Sequence, residues 1–143
     1  MSKILVVDDS STMRKIVMKG ARTAAESAGK PGPQFIEAGD GMEALELLAK
    51  NEDVSVVLCD VNMPNMDGLQ FVRCVRDRKA LDELNIGEKS LLKRLRNRVP
   101  IVMITTESGL AEVQEALRAG ATDYLPKPFT PEQLAEKIAR YLD

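Results

Sequence analysis

Five short, largely β-rich apolar runs alternate with stretches of helical periodicity, and this alternation constrains the fold more than any other feature of the sequence. The runs are Ile4–Val7, Phe35–Ala38, Val54–Cys59, Ile101–Ile104 and Tyr124–Leu125. Turn or charge signals bound each of them, and most are too short for buried helices. The helical stretches are Met13–Ala25, Met42–Ala49, Leu69–Arg78, Leu110–Ala119 and Glu132–Leu142. In the second, Met42, Leu45, Leu48 and Ala49 fall on one helix face. Five such β–α alternations predict an α/β fold with a doubly wound parallel sheet, because right-handed crossovers place helices on both faces.

Punctuation supports these boundaries. Gly120 follows Leu110–Ala119 where a left-handed cap is wanted. Thr130-Pro131-Glu132-Gln133 offers a capping hydroxyl, a proline at the first helical position and a glutamine at the third. Two stretches fit less neatly. Lys30-Pro31-Gly32-Pro33 is a turn-rich bridge. The stretch from Arg76 to Arg98 is longer than one helix and a loop need, and the spacing of Leu91, Leu92 and Leu95 predicts an extra helix near Glu88–Arg98. The chain of 143 residues is therefore expected to be a single domain, 1–143, with an extended helix-to-strand connection around 76–98.

Composition narrows the function. Twenty basic against 22 acidic residues leave a formal charge of −2, which argues against a nucleic-acid partner. No apolar stretch is long enough to span a bilayer, so no membrane role is expected. Cys59 and Cys74 match no metal-ligand spacing and read as buried thiols of a cytoplasmic protein. The absence of histidine excludes Ser-His-Asp and Cys-His catalysis and any histidine-based metal site.

In an open parallel sheet, chemistry collects where the strands end. The first predicted strand ends in Asp8-Asp9, the third in Asp60, the fourth in Thr105-Thr106 and the fifth in Lys127-Pro128. Three carboxylates, a hydroxyl and an ammonium are thus expected in one crevice. A pair of unit charges at 4 Å costs roughly 4 kcal/mol at an effective dielectric near 20. Such a cluster must protonate, spread apart or hold a cation, and all-oxygen donors favour Mg²⁺, with Mn²⁺ as the alternative. A carboxylate there can act as the nucleophile in phosphoryl transfer, with Lys127 and Thr105 contacting the phosphoryl oxygens.

These residues resemble the receiver domain of bacterial response regulators. The resemblance runs through nearly the whole chain in order: Val6-Val7-Asp8-Asp9, Asp60 to Gly68, Thr105 and Lys127-Pro128-Phe129. Within that family, Val7 to Val17 and Asn62 to Gly68 are most similar to the stand-alone chemotaxis regulators. The resemblance implies a flavodoxin-like (βα)5 fold with strand order 2-1-3-4-5. It implies that Asp60 accepts a phosphoryl group from a histidine kinase, and that Asp9, Asp60 and the Asn62 backbone carbonyl bind Mg²⁺, with Asp8 assisting through water. It further implies a cis Lys127–Pro128 bond and a switch in which Thr105 moves and Tyr124 turns inward. Asn62 and Glu107 occupy the positions where the family tunes hydrolysis. The implied output face is roughly Leu110–Ala119, Thr122–Leu125 and Glu132–Leu142, and the implied partners are the kinase, a phosphatase and a flagellar-motor or other protein target.

The chain is accordingly expected to be a monomeric, non-enzymatic signalling switch, with a stand-alone receiver of another phosphorelay or a phosphate sink as the alternative. The absence of chain beyond the fifth helix argues against a DNA-binding output domain. Lys89, Lys93, Arg94, Arg96 and Arg98 read as a solvated helix face more readily than as a docking surface. From a different class, a Mg²⁺-dependent aspartyl-phosphate hydrolase needs a carboxylic acid two residues after its nucleophile, and Asn62 stands there. A flavodoxin-like cofactor binder would have to seat a phosphate against Asp8-Asp9.

Overall fold

Successive residues of a strand face opposite sides of a sheet, and the apolar runs of this chain supply both sides. A computed structural model, which describes residues 2–84, 92–106 and 109–142, shows the result. Strands β1 (Lys3–Val7), β2 (Gln34–Ala38), β3 (Val56–Cys59), β4 (Ile101–Thr105) and β5 (Asp123–Pro126) form one parallel sheet in the order β2-β1-β3-β4-β5. Leu5, Val7, Val57, Cys59, Ile101, Met103 and Tyr124 point into one core layer. Ile4, Val6, Val56, Leu58, Val102, Ile104 and Leu125 point into the other. Burial on both faces explains why the central strands read as unbroken apolar runs.

Six α-helices are described: α1 (Ser11–Ser27), α2 (Gly41–Lys50), α3 (Gly68–Arg76), α4 (Arg78–Asp82), α5 (Leu110–Ala119) and α6 (Pro131–Ile138), the last continued by one 3-10 turn, Ala139–Tyr141. Helices α2, α3 and α5 cover the first core layer, and α1 and α6 cover the second. Gly120 adopts the expected left-handed cap with φ 116°, and Thr130 and Gln133 form a capping box around Pro131. Among the described residues, no helix is long and apolar enough to cross a membrane.

Three local expectations need correction. The third strand begins at Val56, two residues later than its apolar run suggested. The third helix stops at Arg76, because Asp77 leaves the helical region (φ −121°, ψ 111°) and its carboxylate caps a new short helix by accepting from the Lys79 amide. The sixth helix tightens to a 3-10 turn before Leu142. Of the extra helix expected near Glu88–Arg98, residues 88–91 (and with them Lys89) lie outside the described residues, Leu92 is helical, and 93–98 are turn and irregular chain.

The Lys30–Pro33 bridge and the described residues 92–100 lead into the starts of β2 and β4, the opposite end of the parallel sheet from Asp8 and Asp60. The Lys30 ammonium donates to the carbonyls of Ala139 and Leu142 at the end of the C-terminal helix. Arg76 donates to the carbonyls of Gly120 and Asn97 and to Thr122 Oγ1, and Arg96 donates to the Val54 carbonyl just ahead of β3.

Candidate functional site

Strand order brings the ends of β1, β3, β4 and β5 side by side, and each contributes a polar side chain. Asp8 and Asp60 are buried, with relative exposures of 5% and 9%, and Thr105 is fully buried. Asp9, one residue further from the sheet, is exposed. Carboxylate oxygens of Asp8, Asp9 and Asp60 all lie within 4.8 Å of one another. Lys127 Nζ reaches across from β5 to Asp8 Oδ2 at 3.1 Å and Asp60 Oδ2 at 3.5 Å. The five side chains expected to converge do converge.

Local bonds fix this geometry. The Asp60 amide donates to the Val7 carbonyl, and the Asp8 amide to the Ala38 carbonyl, which continues the sheet into the acidic turn. Asp8 Oδ1 accepts from the Ser10 amide, and Ser10 in turn caps α1. Arg14, in the first turns of α1, clamps the turn from outside by donating to the Asp8 carbonyl at 2.6 Å while pairing with Glu37 of β2. Sequence reasoning gave Arg14 no role beyond its place in the resemblance, because only the fold brings α1 and the outer strand together. The Lys127 amide donates to the Thr105 carbonyl, and the Lys127–Pro128 peptide is cis, the isomer the resemblance implied.

Burial is the main force on the Asp60 carboxyl and pushes its pKa above the ordinary range. Lys127 pulls it down, Asp8 pushes it up again, and bonds from the Val61 amide and the Thr105 hydroxyl favour the anion. One ammonium thus faces a pair of buried carboxylates, with a third, exposed carboxylate beside them. A further hard cation held by Asp8, Asp9 and Asp60 fits both the charge deficit and the all-oxygen donor set. The buried thiol of Cys59 donates to the Asp60 carbonyl, and its pKa is raised by desolvation and then by the neighbouring carboxylates, so it is no competing nucleophile.

The remaining predicted residues do not share one place. Asn62 is exposed on the loop between β3 and α3. Tyr124 sits on β5 opposite Met103, buried in the core layer that α5 covers. Glu107 lies outside the described residues.

Comparison with known proteins fits this geometry. The model of the response regulator receiver domain family matches residues 4–86 and 89–139. A chemotaxis protein CheY homolog of Campylobacter jejuni is 43% identical over 136 residues, covering 95% of this chain and 88% of that protein. Chemotaxis protein CheY1 of Helicobacter pylori is 43% identical over 137 residues, covering 95% and 93%. The solved structure of the Vibrio cholerae chemotaxis protein CheY4 superposes with a TM-score of 0.68 at 35% identity, covering 99% of each chain.

Proposed function

The chain belongs to the response regulator receiver domain family, and on that premise we propose that it is a chemotaxis switch that takes a phosphoryl group from a histidine kinase onto Asp60. The observation that carries this reading is the convergence of buried Asp60 with Asp8, Asp9, Thr105 and Lys127 in one crevice. An Asp60 carboxylate oxygen attacks phosphorus, the bond from phosphorus to the donor imidazole breaks, and the product is an acyl phosphate. Asp8, Asp9, Asp60 and the Asn62 carbonyl would hold Mg²⁺, which when bound supplies positive charge to the phosphoryl oxygens. Lys127, already 3.5 Å from Asp60, provides a second positive contact and holds the nucleophile in place. Hydrolysis reverses the switch: water attacks phosphorus and the carboxylate leaves. Asn62 and Glu107 would set its rate.

A phosphoryl group adds about −1.5 to −2 charge and three strong acceptors. The Thr105 hydroxyl, which serves the bare carboxylate, is placed to turn to that group instead. Thr105 ends β4 and leads into α5, so its reorientation biases α5 and the Tyr124 ring beneath it toward a target-binding arrangement. The output is thus a binding surface rather than turnover of a separate substrate, and the partners are the kinase, a phosphatase and a flagellar-motor target. Reduced, buried Cys59 and Cys74 suit the cytoplasm.

The test is prompt mass measurement after incubation with acetyl phosphate, with and without Mg²⁺, beside Asp60→Asn. A single metal-dependent phosphoryl adduct on the unaltered chain alone is expected. An adduct that persists in the variant moves the acceptor elsewhere and removes the central assignment.

A further inference from the structure

The Asn62 carbonyl belongs to a loop that sequence motifs describe but do not fix, and the structure holds that loop in two places. Near its root, the Gly68 amide donates to the Val61 carbonyl at 2.8 Å, and the Val61 amide donates to Asp60 Oδ1. At its far side the loop is tied to the start of α2. Asn65 Nδ2 donates to Asp40 Oδ2 at 2.8 Å, and the Gly41 amide donates to the Met66 carbonyl at 2.9 Å.

Several features mark this tie as more than a helix cap. Capping α2 occupies only Asp40 Oδ1, which accepts from the Glu43 amide, so the second oxygen is left to hold the loop. Asn65 adopts φ 64°, a left-handed conformation that asparagine tolerates better than most residues. Position 41 admits no side chain, because a Cβ there would lie 2.8 Å from the Met66 carbonyl oxygen and 2.7 Å from its Cγ. Met66 itself is buried among the core residues. The start of α2 is fixed in turn relative to the acidic turn, since β2 pairs in register with β1 and Ala38 accepts from the Asp8 amide. A closed circuit of bonds therefore runs from Asp8 through Ala38, Asp40 and Asn65 to the loop that bears Asn62.

We infer that Asp40 and Asn65 are positioning residues, which set the distance between the Asn62 carbonyl and the carboxylates and so tune affinity for Mg²⁺. The inference rests on the metal site given under Proposed function. Mg²⁺ demands near-octahedral ligands at about 2.0–2.1 Å, so a loop that drifts by a few tenths of an ångström loses a ligand. Groups that orient metal ligands are each worth roughly 10–100-fold in affinity, and this exposed pair belongs at the lower end.

The experiment is calorimetric titration of Mg²⁺ alone into the full chain, without a phosphoryl donor, alongside metal-free thermal midpoints. Asn65→Gly keeps the left-handed backbone and removes the amide. Asp40→Ser keeps a capping oxygen but falls short of Asn65. Each is expected to weaken Mg²⁺ about 10-fold, and the double variant no further, because both remove one interaction. Asp40→Asn should keep binding near that of the unaltered chain, since its Oδ1 still caps α2 while its NH2 donates to Asn65 Oδ1 once the exposed Asn65 amide turns over. Wild-type affinity in Asn65→Gly and Asp40→Ser overturns the proposal, as do additive losses that track the midpoints. Failure of the unaltered chain to bind Mg²⁺ removes the metal reading itself, a separate and recognisable result.

Discussion

Helices α1 and α5 both lie on the sheet, yet α1 buries Val17, Met18, Ala21, Ala24 and Ala25, whereas α5 buries Ala116 alone. The difference extends to their neighbours. On the α1 side, α6 starts with a capping box and buries Leu134 and Ile138, and Gly20 approaches so closely that a Cβ would lie 2.6 Å from Leu134 Cδ2. On the α5 side, Gly109 supplies no side-chain cap, Leu110 and Leu117 are 75% and 47% exposed, and the ion pair from Arg73 to Glu115 joins two half-exposed side chains. Exposed pairs of that kind contribute little. One flank is thus a fixed floor. The other is a weakly anchored lid, and elements that move in switching come from the low-stability end of a structure.

Breaking the fixed flank should have the largest effect. Leu134→Ala removes a fully buried side chain from between α6 and α1, and is expected to destabilise the chain by about 2–5 kcal/mol in denaturant titration. The contrast fails if Leu117→Ala on α5 costs as much, since an exposed leucine should matter far less.

The crevice between the flanks provides a second, smaller test. Asp60 carries a raised pKa because its charge is buried, so the folded chain prefers it protonated more than the unfolded chain does. At neutral pH, without metal, the ionised group therefore opposes folding, and stability is gained as pH falls through its folded pKa. Asp60→Asn should raise the metal-free thermal midpoint at neutral pH by roughly 2–4 °C, the shift about 1 kcal/mol produces in a chain of this size. That advantage should shrink as the pH is lowered toward the ordinary carboxylate range, because the unaltered Asp60, its pKa raised by burial, takes up its proton on the way. Hydrogen exchange sharpens the comparison. Slowing spread over β1 and β3 leaves packing as the cause of the loose flank, whereas slowing confined to α5 makes the site charge the cause.

The sheet and the chemical set were legible because each depends on short-range patterns. Apolar runs bounded by turns gave five strands, and strand ends gave Asp8, Asp60, Thr105 and Lys127, since a parallel sheet brings such ends together whatever lies between them. The break at Asp77 was hidden because a helix can run through aspartate, and only its carboxylate turning to the Lys79 amide ends one helix and starts another. The tie from Asp40 to Asn65 was hidden for a different reason. Both residues read as local turn formers, and their contact spans 25 positions that no periodicity connects. The unequal anchoring of the flanks was likewise out of reach, because Leu110–Ala119 is as amphipathic in sequence as the helices that bury far more.

The smallest effect tests the lid from its own end. Gly109 has φ −65° and ψ 156°, values open to any residue, and Glu112 stands three positions later. Gly109→Ser would complete a capping box with Glu112. The added Cβ meets only the carboxylate end of Glu112, a flexible group that can turn aside and accept the new geometry. Replacing glycine by serine at such a position gains a few tenths of a kcal/mol, too little to move the midpoint far but enough to slow exchange of the first α5 amides selectively. If α5 owes its looseness to a poor start and a single buried alanine, protection should rise along the whole helix. Protection rising only at the first turn would mean that the remainder is held by its contact with the sheet, and the two flanks would then differ in their ends rather than in their packing.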